Sequence, residues 1–117
     1  MPPTKAILSG AITNCASRSA ITNNVVNIAF GWTKATGASF DQQYLDYSVY
    51  DNGFAPKTFT GIDVGVSVSN YSSGGFAQGV KYYWRINSHV TGGDWLISDV
   101  GTFNTPLCVV PSTIGEQ

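Results

Sequence analysis

The sequence predicts an all-β sandwich of six or seven short strands, and three observations lead there. Apolar residues recur at every second position in several short stretches, the period of a strand with one buried face. Gly, Asn and Ser interrupt every window of helical length. Turn-forming clusters separate the alternating stretches at near-regular spacing, as in an all-β sandwich. The chain has 117 residues, of which 43% are hydrophobic and 13% aromatic, enough for one domain with a real core and too little for two.

The clearest strand runs from Val26 to Trp32, where Val26, Ile28, Phe30 and Trp32 alternate with Asn27, Ala29 and Gly31. Ala6 to Thr13 is expected to open the domain. In the next stretch Leu45, Tyr47 and Val49 alternate with Asp46, Ser48 and Tyr50, and Asp51-Asn52-Gly53 follows as a turn that tolerates positive φ. Lys57 to Gly61 is expected to be a short edge strand. Val64, Val66 and Val68 alternate with Gly65 and Ser67 and predict a further strand, closed by turn residues at Ser69-Asn70 and Ser72 to Gly75. Tyr82, Trp84, Ile86 and Ser88 alternate with Tyr83, Arg85 and Asn87 before the Thr91-Gly92-Gly93-Asp94 loop. Val100 to Thr105 reads as the last strand, anchored by Phe103, and Trp95 falls in the loop before it. The sandwich is therefore expected to span 1–105, with 106–117, which carries Pro106 and Pro111, as a linker or tail.

Several of these segments resemble fibronectin type III modules of bacterial extracellular proteins. Asn27 to Ala38 is similar to that family's second strand and following loop, running into a buried Trp32. Tyr47-Ser48-Val49-Tyr50 resembles its third strand. Phe76-Ala77-Gln78-Gly79-Val80-Lys81-Tyr82 resembles its apolar-x-x-Gly-x-x-Tyr corner, with Phe76 and Gln78 in place of a smaller aliphatic residue and a proline. Gly92-Gly93-Asp94-Trp95 and Val100 to Pro106 are similar to its last hairpin and exit. The resemblance implies an immunoglobulin-like sandwich of about seven antiparallel strands, with a tyrosine corner in which the Tyr82 hydroxyl reaches a backbone group upstream. It also implies that the first and last strands end at the same pole, so that Cys15 and Cys108 can meet. A disulfide there would contribute on the order of 4 to 5 kcal/mol in the chain-entropy model; two reduced thiols are the alternative.

Composition narrows the functional classes. Six Lys and Arg against seven Asp and Glu leave a net charge of −1, without the basic field that holds nucleic acid or an anionic membrane. No apolar run approaches the ~18 residues of a membrane span, and Met1 to Lys5 leads into nothing like a secretory signal. His89 is the only histidine, so repeated-histidine metal motifs are excluded and no metal or cofactor is expected. Gly65-Val66-Ser67-Val68-Ser69 lacks the second glycine of a nucleophile elbow. Asp41, Asp46, Asp51, Asp63, Asp94 and Asp99 are scattered, with no calcium spacing. Asn70-Tyr71-Ser72 is a glycosylation sequon that a chance match explains.

What remains is a set of outward side chains on the third and sixth strands of that topology. Tyr44, Asp46, Tyr50, Tyr83, Arg85, Asn87 and His89 are expected to share one face. Tyr44, Tyr50, Tyr83, Arg85 and Trp95 are its candidate ligand contacts, because aromatic rings supply apolar area and polar neighbours orient hydrogen bonds; cross-strand pairing alone is the other reading. The resemblance implies a non-enzymatic spacer or protein-interaction module of a larger extracellular, cell-surface or virion-surface protein. Its partners would be neighbouring domains and a protein or glycan ligand. The alternative is a carbohydrate-binding module using the exposed aromatics.

Overall fold

The computed structural model describes residues 2–15 and 25–107. Eight strands follow in order: β1 (Ile7–Cys15), β2 (Val25–Thr33), β3 (Phe40–Ser48), β4 (Thr60–Asp63), β5 (Asn70–Ala77), β6 (Lys81–Val90), β7 (Trp95–Ile97) and β8 (Gly101–Asn104). One sheet has the order β1-β2-β5. The other has the order β4-β3-β6-β7, with β8 also on β6. Every strand pair is antiparallel.

Alternation decides which side chains meet between the sheets. Val26, Ile28, Phe30 and Trp32 project inward from β2; Tyr82, Trp84 and Ile86 from β6; and Leu45 from β3, each at most 6% exposed. The Phe30 and Trp84 rings lie 4.9 Å apart, Trp32 meets Trp84 edge-on at 6.5 Å, and Phe103 stacks on Tyr82 at 5.3 Å. Phe76 fits beside them, 4.7 Å from Tyr47 and 5.2 Å from Tyr82. The close approach of Trp84 requires glycine at 101, where a Cβ would lie 2.8 Å from the indole nitrogen and from Leu8.

Polar groups close the two ends. The Ala77 amide donates to the Tyr82 hydroxyl at 3.0 Å, and Gly79 turns the chain there with φ +66°. The Thr105 hydroxyl accepts from the Val80 amide and donates to the Ala77 carbonyl, both at 2.8 Å. Gly79 N–H reaches the Pro106 carbonyl at 3.2 Å, so the last strand is tied to the corner just past its end. At the other pole Trp32 Nε1 donates to buried Gln43, whose amide nitrogen donates to the carbonyls of Gly65 and Val68.

That glutamine explains the main departure from expectation. Val64 to Val68 is a loop, not a strand: Gly65 takes φ +80°, and Val64 and Val68 turn onto the core while Val66 stays exposed. The stretch holding Asn70 and Ser72 to Gly75, expected to be closing turns, forms most of β5 (Asn70–Ala77) instead. It pairs with β2, and a bulge between Val26 and Ile28 takes up the Gly74-Gly75 pair. β3 begins at Phe40 and ends at Ser48, so Val49 and Tyr50 lie beyond it, both exposed. The edge strand begins at Thr60 in place of Lys57.

The last strand is split. β7 and β8 run along the same edge of β6 with a one-residue slip between Ile97↔Asn87 and Gly101↔Trp84. Ser98 bridges the slip: its amide donates to the Ile86 carbonyl, and its hydroxyl accepts the Ile86 amide, both at 2.9 Å. Trp95, expected in a loop, therefore opens β7. Cys15, at the end of β1, is a half-cystine, while Cys108 lies outside the described residues, as does 108–117 of the expected tail.

Tyr82→Phe leaves a partly buried amide without its acceptor and is expected to cost about 1–2 kcal/mol in urea unfolding while the core stays intact. An unchanged midpoint would contradict the role given to the hydroxyl.

Candidate functional site

The outer face of the β4-β3-β6-β7 sheet brings aromatic, charged and amide side chains together. Since β6 sends Tyr82, Trp84 and Ile86 inward, the intervening Tyr83, Arg85, Asn87 and His89 must face out. Register then sets their neighbours. Asp46 stands opposite Arg85, Tyr44 opposite Asn87 and Gln42 opposite His89 on β3, while Ile97 stands opposite Asn87 and Trp95 opposite His89 on β7. On β4, Gly61 is level with Asp46.

These rows enclose a groove of about 470 Å³, with Phe59 toward the β4 edge and Trp95 and Ile97 toward β7. Its floor is a polar triad. Arg85 Nε donates to Asp46 Oδ2 at 2.9 Å, and Asn87 Nδ2 donates to the same oxygen. Asp46 is nearly inaccessible at 4% side-chain exposure, and Arg85 shows 18%, so the two charges neutralise one another with little water between them. Glycine at 61 leaves room for this arrangement: a Cβ there would sit 3.0 Å from Asp46 Oδ1. Asn87 Oδ1 is buried and meets no hydrogen-bond partner among the described residues.

Aromatic rings hold Arg85 from the opposite side. Its guanidinium carbon lies 4.3 Å from the Phe54 ring centre and 5.6 Å from that of Phe59, and the two rings meet edge-on at 5.7 Å. Phe54 takes φ +60°, unusual for a bulky residue. The residue is nevertheless only 7% exposed, so burial and the cation contact offset the backbone strain. The Asn52 side chain shapes this loop, accepting from the Ala55 amide and reaching the Thr58 hydroxyl.

The other wall is a braced aromatic platform. Trp95 is 41% exposed, yet it is contacted on two sides: the His89 ring at 4.9 Å and the Tyr44 ring edge-on at 6.0 Å. His89 is itself held by Asp41, with 2.6 Å between Nδ1 and Oδ1.

Of the five candidate contacts, the fold brings together Tyr44, Arg85 and Trp95. Tyr83 faces the same side but stands opposite Ser48, beyond the groove, with the Lys81 ammonium 5.4 Å from its ring centre. Tyr50 is separated from the face because β3 ends at Ser48, and its amide bonds back to the Ser48 hydroxyl at 3.0 Å. Phe54, Phe59, Gly61 and Ile97 belong to the site without having been anticipated. The two phenylalanines flanking the turn after β3 were the available signal. Among the described residues, no group of three or more His, Cys, Asp or Glu side chains is placed to hold a metal.

The chain is an all-β sandwich of immunoglobulin-like type, and its resemblance to solved structures is of the same kind. It aligns with a β-sandwich protein redesigned by computer at 13% identity and a TM-score of 0.56, over 92% of this chain and 91% of that one. It also aligns with a myokine structure at 9% identity and a TM-score of 0.55, over 90% of this chain and 99% of the other. No family model and no curated protein matches the sequence. At such identities the likeness establishes architecture alone.

Arg85→Ala is expected to lower stability by about 2–3 kcal/mol, because Asp46 stays in its low-water position with the Asn87 amide but without its counter-charge, and Phe54 loses its cover. Arg85→Lys should recover only part of this, since a lysine ammonium lacks the planar fork. Equal stability of all three proteins in urea would show that the triad is ornamental to the fold.

Proposed function

We propose that this chain is a fibronectin type III-like, non-catalytic module of a larger extracellular or surface protein, which spaces its neighbours and presents one sheet face for contact. The observation that carries the reading is the pairing of a fully packed sandwich with a pre-shaped groove on its outer face. The family affiliation is supported by the strand arrangement of three against five, with β7 and β8 sharing one edge of β6, by alternation into Trp32, and by the Tyr82 hydroxyl accepting from the Ala77 amide.

The non-catalytic part is supported by how the charges are spent. Asp46 is bound to Arg85, Asp41 to His89, and Lys5 to Asp99 at 2.6 Å. A general acid or base needs a group available to a substrate proton, and Asp46, the carboxylate in the floor of the groove, is buried and held by Arg85 and Asn87. The extracellular setting is supported by the half-cystine at 15, since such bonds persist in oxidising compartments.

Two measurements test the reading. The repurified chain is expected to unfold in one cooperative transition and to turn over no chromogenic ester, glycoside, phosphate or peptide substrate; turnover that follows the protein through a second column contradicts it. Replacing the chain within its parent protein by an unrelated sandwich of equal length should preserve the spacing of the neighbours and lose only the contacts made through the groove. Loss of that spacing would contradict the spacer role.

A further inference from the structure

We propose that the groove between Phe59 and Trp95 is a binding site for a neutral saccharide, with a sugar ring laid on Trp95 and its hydroxyls bonded to Arg85 and Gln42. This rests on the module reading above and names the ligand class of its contact face.

The chemistry of the lining selects the ligand. At about 470 Å³ the groove falls within the roughly 300–1,000 Å³ of small-molecule sites. Its floor pairs one carboxylate with one guanidinium at 2.9 Å, which leaves no net charge to attract an ion. An anionic ligand would have to compete with Asp46 for Arg85, and a cationic one would meet Arg85 in the floor. A purely apolar ligand would strip water from the Arg85 and Gln42 side chains, give nothing back, and incur the cost of unmet polar groups. A pyranose avoids all three penalties. Its C–H face needs an aromatic surface, and its hydroxyls both donate and accept.

The platform is built before any ligand arrives. A tryptophan left 41% exposed would ordinarily lose side-chain freedom on binding. Here His89 and Tyr44 already restrain the ring, and Asp41 restrains His89, so little ordering entropy remains to be lost. Arg85 is likewise held by Asp46 through Nε, which leaves the outer end of its fork as a hydrogen-bond donor. Asn87 also lines the groove, and its buried Oδ1 is an acceptor with no hydrogen-bond partner among the described residues.

The test is a titration of the folded, isotope-labelled chain, followed at the Trp95 indole and Arg85 Nε–H signals. The probes are oligosaccharides of β-1,4-glucose, β-1,4-xylose, β-1,4-N-acetylglucosamine and mannose, with oligogalacturonate, oligoglucosamine and a proline-rich peptide as charged and peptide comparators. At least one neutral saccharide is expected to shift both signals saturably, and Trp95→Ala and Gln42→Ala should each weaken that probe, the former by about tenfold or more. Because the wild-type shifts are read directly, the result does not depend on the variants folding. The inference is overturned if no neutral saccharide moves the Trp95 signal, or if a charged probe or the peptide binds more tightly than every neutral one. In either case the module reading survives, whereas hydrolysis of any probe would overturn the module reading itself.

Discussion

The packing of aromatic rings between the two sheets is the constraint on which the rest of this molecule depends. Phe30 from one sheet meets Trp84 from the other, with Trp32, Phe76, Tyr82 and Phe103 filling the space around them. Such rings bury large apolar areas, and their edge-on and tilted contacts add directional preference to burial. The contact also sets the local backbone: Gly101 admits the Trp84 indole, and the split between β7 and β8 lies just before that glycine. With 11% charged residues, few ion pairs can reinforce the fold, and the interior must carry most of its stability.

The outer groove is a consequence of the same constraint. Strand β6 is paired on both edges and packed on its inner face, so its outward residues have fixed positions without any contribution from ligand. A slip of one residue in β6 would send Arg85 and Asn87 into the core and Trp84 into water, a penalty large enough to hold the register. Cross-strand pairing then delivers Asp46 to Arg85 and Trp95 to His89. The polar triad and the aromatic platform are thus positioned by a strand paired on both edges, the placement a binding surface needs to keep its geometry.

Much of the architecture could be read from alternation because each inward stretch of β2 and β6 pairs large apolar residues with small or polar ones. Reading failed where another force outweighed local preference. Asn70 to Gly75 is rich in residues that disfavour strands, yet the free edge of β2 supplies partners for its backbone, and a bulge absorbs the extra glycine. Val64 to Val68 alternates like a strand, but the Gln43 side chain takes up the carbonyls of Gly65 and Val68, a tie that alternation does not reveal. For the groove, Tyr44, Arg85 and Asp46 followed from counting outward positions. Phe54 and Phe59 did not, because their placement depends on a loop with positive φ and on the pull of a cation across the sheet. Tyr50 was misplaced because β3 ends two residues before it.

The most direct test of the packed interior uses its own chromophores. In a Trp95→Phe variant the remaining emission comes from Trp32 and Trp84, which are 4% and 1% exposed. Their fluorescence should be blue-shifted, should resist quenching by iodide, and should become red-shifted and quenchable in one step as urea unfolds the chain. Red-shifted emission that iodide quenches freely in the native protein would place those rings in water and contradict the account.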